Sequence, residues 1–99
     1  MTPAECICFK PTGLEEELGI DEAAAFYELQ IAEGSEEREY FERLAILYRH
    51  KSRIDDEIGV LQKAVGVFER IVFEDKIESA LPVLNMFTVR LREARSLVE

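Results

Sequence analysis

From Phe73 to Val98, apolar residues recur at Phe73, Ile77, Ala80, Leu84, Phe87, Leu91, Ala94 and Val98, in alternating steps of four and three. That alternation averages 3.5 residues, close to the turn of an α-helix and incompatible with the two-residue period of a strand. A helix so patterned lies along another apolar surface over several turns. The spacing therefore predicts a long C-terminal closing helix over 75–99. Pro82 falls off the seam and either kinks this helix or marks the first turn of one N-capped by Ser79. A second apolar set (Leu81, Val83, Met86, Val89, Leu97) makes the segment too apolar for a simple surface helix. Two arrangements cover it. The helix folds back on Ile58, Leu61, Val65 and Phe68 of its own chain, or it meets a second copy. The size of the uncovered stripe favours the second, a two-fold homodimer through Ala80, Leu84, Phe87, Leu91 and Ala94.

Helical spacing also governs most of what precedes. Residues 1–13, with Pro3, Pro11 and Gly13, read as an irregular lead-in, and Leu14–Leu18 as a short turn. A helix is expected over Asp21–Glu33, N-capped by Asp21 and stopped by Gly34, with Ser35 capping the next. That next helix, about Glu36–Lys51, carries Phe41, Leu44, Ala45, Leu47 and Tyr48 at steps of three and four. A third starts near Asp55 and carries Ile58, Leu61, Ala64, Val65 and Phe68. Gly59 and Gly66, seven apart inside it, either mark close approach of a neighbouring backbone or simply soften the helix. The expectation is a single all-α domain of about four main helices in antiparallel pairs.

An internal offset of 34 residues aligns Ile20-Asp21-Glu22 with Ile54-Asp55-Asp56, then Ala24 with Ile58, Tyr27 with Leu61, and Ile31 with Val65. The apolar matches fall on one helical face in both copies. A 34-residue period of paired helices is that of the tetratricopeptide repeat. Phe41-x-x-Leu44-Ala45-x-x-Tyr48 resembles the family's first helix, and Ile54, Ile58, Leu61 and Ala64 its second. Residues 19–65 thus resemble about one and a half repeats. The sequence departs from the pattern at Glu57, where the family prefers Ala, and at Glu69, where it closes with Pro. Beyond residue 70 the register fails, with Pro82 in the place of a Tyr. The resemblance implies a right-handed stack of helix pairs that holds a peptide or helix in a groove. On that basis Arg38, Glu42, Leu47 and Arg49, taken as first-helix residues off the core stripe, become candidate partner-binding positions.

Composition narrows the function classes. The 12 Lys and Arg against 21 Asp and Glu leave a net charge of −9, which repels phosphate and disfavours nucleic-acid binding. Residues 1–42 hold 12 acidic and 2 basic side chains, whereas 43–99 hold 9 and 10, a polarity that orients associations. No apolar run is long enough to span a bilayer, and the start, MTPAECICFKPTG, lacks the pattern of a signal peptide, so a cytoplasmic location is expected. Cys6 and Cys8 are placed for reduced thiols rather than a mutual disulfide, and with His50 they make at most half of a zinc motif. His50, the lone His, sits in a basic turn without an orienting acid pattern. No catalytic residue, metal or cofactor is expected. The reading is a protein-interaction module, an adaptor or self-associating scaffold; the alternative is a helical regulatory or assembly domain that belongs to or acts with a larger enzyme.

Overall fold

The computed structural model describes residues 11–98. Among these described residues five α-helices follow one another: α1 (Gly13–Leu18), α2 (Ile20–Ala32), α3 (Arg38–His50), α4 (Ile54–Glu69) and α5 (Leu81–Ser96). No strand occurs among the described residues. The helices pack as antiparallel neighbours in chain order, α4 most extensively against α3 and α5. The shortest dimension is 20 Å, about two helix diameters, so the helices form two layers.

Local chemistry accounts for the boundaries. The segment expected as a turn is helix α1, because Thr12 and Glu15 form a reciprocal capping box. The Glu15 N–H donates to Thr12 Oγ1 at 3.2 Å, and the Thr12 N–H donates to Glu15 Oε1 at 3.0 Å. Gly19, at φ +87°, ends α1 and turns the chain directly into α2. This moves the start of α2 ahead of Asp21, which stands in the first turn rather than at the cap. Gly34, at φ +97°, closes α2 as expected. Ser35 does not cap α3; its Oγ accepts from the Glu37 N–H at 3.2 Å, one residue ahead of the helix. Asp55, Asp56 and Glu57 fill the first turn of α4, where negative charge meets the positive end of the helix dipole.

The C-terminal segment is shorter than its apolar seam. After α4 the chain widens into a π-turn over Arg70–Glu74, passes Lys76 at φ +59°, and tightens through a 3₁₀ turn at Glu78–Ala80. Helix α5 begins only at Leu81, with Pro82 in its first turn, where the missing N–H has no intrahelical role. The seam positions Phe73 and Ile77 consequently lie on the corner and are exposed. Leu84, Phe87, Leu91 and Ala94 are buried within the chain, so the expected dimer interface is corrected: its central residues are core. Ala80, the fifth, is half-buried against the same core. Phe87 stacks on Phe68 of α4 at 5.6 Å and meets Phe41 of α3 edge-on at 6.2 Å. The fold-back arrangement is the one adopted.

Leu44, Ala45, Phe41 and Tyr48 of α3 are buried as their spacing predicts. Gly59 and Gly66 do not mark a close approach. No atom lies within 4 Å of a Cβ built at either, so they are exposed soft points of α4.

Candidate functional site: a groove between α2 and α4

Helices α2 and α4 both pack on α3 but barely touch each other. The gap between them is a groove of about 280 Å³. Ile31 of α2 with Leu44 and Tyr48 of α3 form its apolar floor, and Val60 and Gly59 form the α4 wall. Glu28 stands on the α2 rim, Asp55 and Asp56 on the opposite rim, and Lys63 two turns further along α4. The 3.6-residue turn explains this set, since Asp56, Gly59, Val60 and Lys63 share one face of α4 while Leu61, Ala64 and Phe68 share the buried one. Without a side chain at Gly59 the wall is low, while the floor residues are themselves core, 1–7% exposed. Asp56 is paired with Arg53 at 2.7 Å. Glu28 and Asp55 make no ion pair among the described residues. The rim carries three carboxylates against one ammonium, over a floor that is mostly hydrocarbon.

The residues expected to bind a partner lie elsewhere. Steps of about 100° per residue put Arg38, Glu42 and Arg49 on one side of α3 and Leu47 on the opposite side. Leu47 is fully buried, and its assignment as a contact residue is corrected: it belongs to the core. Glu42 lies 3.9 Å from Arg38 and 3.4 Å from Arg90 of α5. Arg49 Nε donates to Glu57 Oε1 at 2.6 Å. All three thus knit α3 to itself, to α5 and to the start of α4. Glu57, which breaks the repeat pattern, is 4% exposed, and this bond is what accommodates it.

A buried polar cluster sits on the other side of α3. Glu15 is 2% exposed. Arg43 donates to it twice, Nε to Oε2 at 2.9 Å and a terminal nitrogen to Oε1 at 2.7 Å. The Tyr27 hydroxyl donates to Oε2 at 2.9 Å. Burial pushes the Glu15 carboxyl up, but the bonds from Arg43, the Thr12 N–H and Tyr27 outweigh it and hold it below the usual glutamate range. Burial pushes the Tyr27 phenol up. The cluster ties α1 to α2 and α3, with both Glu15 oxygens each accepting two hydrogen bonds.

His50 is exposed at the end of α3. No group of three or more potential metal ligands is assembled among the described residues. Cys6 and Cys8 lie outside them. None of the described helices is long and apolar enough to cross a membrane. Comparisons with protein-family models, curated proteins and solved structures found no match.

Proposed function

We propose that this chain is a protein-interaction module without catalytic activity that holds a short segment of a protein in the groove between α2 and α4. The observation that carries the reading is a cleft of about 280 Å³ between α2 and α4, rimmed by Glu28, Asp55 and Asp56 and backed by the core residues Ile31, Leu44 and Tyr48. Its volume falls below the roughly 300–1,000 Å³ typical of small-molecule sites. It suits anchoring by one or two apolar side chains, the way a helix or extended peptide is held in a surface groove. The carboxylates of Glu28, Asp55 and Asp56 favour Lys or Arg beside those anchors and disfavour nucleic acid. The resemblance of residues 19–65 to tetratricopeptide repeats supports the same class of function. So does the engagement of Arg38, Glu42 and Arg49 in bonds within the chain, which moves the docking surface from that side of α3 to the groove. The cytosol, where an acidic adaptor with reduced thiols is at home, is the proposed compartment.

Affinity capture with matched variants tests this. Glu28→Lys combined with Val60→Glu should abolish capture of partners retained by the wild type, while Arg38→Ala should leave them bound. Loss with Arg38→Ala and retention with the groove variant would return the docking surface to the other side of α3.

A further inference from the structure

Helix α1 is attached to the fold differently from the helices that follow it. Of its six residues only Glu15 is buried. Leu14 is half-buried against the core, Leu18 is 38% exposed, and Glu16 and Glu17 are exposed. Helix α2, by contrast, seats Ala23, Ala24, Tyr27 and Ile31 in the core. Among the described residues, the hold on α1 is therefore chiefly one carboxylate, bonded by Arg43 of α3 and by the Tyr27 hydroxyl of α2. A helix this short does not persist alone in water, because too few bonds follow its costly first turn. Folding of α1 and seating of Glu15 are one event. We infer that α1 is a releasable strap: it comes off α2 and α3 as one unit about Gly19, uncovering Arg43 and Tyr27, while α2 to α5 keep their packing.

The surroundings are built for that motion. Gly19 is the one residue between α1 and α2, stands at φ +87°, and has no atom within 4 Å of a Cβ built on it, so the chain can swing there without a clash. The seat does not depend on the strap. The Tyr27 ring meets Phe26 at 6.0 Å and Tyr40 at 5.7 Å, and Phe26 meets Tyr40 at 5.9 Å. Lys51 at the end of α3 pairs with Asp21 at the start of α2. None of these contacts includes an α1 residue. Opening also returns the carboxylate and the guanidinium to water together, so neither is left as a lone desolvated charge. Little buried apolar surface is lost with α1, which is the condition for local rather than global opening. The pair so uncovered, a planar guanidinium fork beside a phenol hydroxyl, has carboxylate-binding chemistry, and the closed strap keeps it from other acidic groups.

Hydrogen exchange of the full chain near neutral pH tests the inference. The amides of Glu16 and Gly19 donate to the Thr12 and Glu15 carbonyls at 2.9 Å each. They should report one shared opening, at least about 100-fold more frequent than that of the Leu44 and Leu61 amides in the middle of α3 and α4. In Glu15→Gln the α1 amides should lose protection, whereas Leu44 and Leu61 stay at least about 100-fold protected. Phenylglyoxal labelling, read by peptide mass spectrometry with the exposed Arg38 as reference, should modify Arg43 at least about tenfold faster in Glu15→Gln than in the wild type. Wild-type α1 amides that open only together with Leu44 and Leu61 would overturn the inference. So would Glu16 opening far more often than Gly19, which is fraying rather than release of a unit. A Glu15→Gln variant that unfolds throughout, or that keeps α1 protected, or whose Arg43 labels no faster, would overturn it equally.

Discussion

Replacing Glu15 by Gln removes one charge from the most enclosed polar cluster of the molecule and keeps the side chain's shape. In the wild type the carboxylate takes two bonds from Arg43, one from the Tyr27 hydroxyl and one from the Thr12 N–H. Glutamine keeps a single oxygen and sets an N–H group against guanidinium donors. Removing one partner of a buried ion pair costs roughly 3–5 kcal/mol, because the remaining charge stays desolvated. The Arg43 side chain is 16% exposed, and α1 has only six residues to release. Both facts put the expected loss at the low end, about 3 kcal/mol, of a total stability of about 5–15 kcal/mol. Urea denaturation followed by circular dichroism measures it. An Arg43→Met variant closes a double-mutant cycle in which the pair should lose well under the sum of the single losses. The sign with pH follows from the lowered carboxyl. Its stabilisation is complete above the unfolded glutamate value of about 4.3 and disappears as pH falls through the lower folded value. The wild type should therefore lose more stability than Glu15→Gln between pH 6 and pH 3. A loss below about 0.5 kcal/mol at pH 7, or additive single losses, would refute the argument.

Two further outcomes follow from packing. Gly59→Ala and Gly66→Ala should each stabilise the chain by up to about 1 kcal/mol, since the new methyl meets no atom within 4 Å in an α-helical backbone; a destabilised variant in thermal denaturation would show that a neighbour approaches after all. Phe87→Ala should cost about 3–5 kcal/mol even at micromolar dilution, because Phe87 is fully buried between Phe41 and Phe68 of its own chain; a loss that depends on protein concentration would place that residue in an interface instead.

The fold class was legible in the sequence because its strongest signal, apolar spacing of three and four, is what helix packing needs. Phe41, Leu44, Ala45 and Tyr48 are buried for that reason. The same signal misled at both ends of the C-terminal seam. Phe73 and Ile77 keep the period, but Lys76 at positive φ and Pro82 hold the chain in a corner, so helix and seam do not coincide. A seam also says nothing about what covers it, and Phe41 and Phe68, both visible in the sequence, proved sufficient partners for Phe87. Leu47 was misplaced although the helical wheel alone sets it opposite Arg38. The Glu15 cluster went unseen because three adjacent glutamates look like a solvated run, yet Thr12-x-x-Glu15 is a capping-box pattern that singles one of them out. The groove was not legible at all. It depends on how far α2 and α4 diverge over α3, a tertiary quantity that no local spacing encodes.

The central claim, that the chain takes a protein segment between α2 and α4, is most directly tested by photo-crosslinking in cells. A benzophenone side chain placed at Lys63, on the groove rim, is compared with one at Arg38, on the other side of α3, and one at Asn85, on the outer face of α5. The account predicts protein adducts from position 63 and none from positions 38 or 85. Adducts from position 38 or 85 with none from position 63 would contradict it.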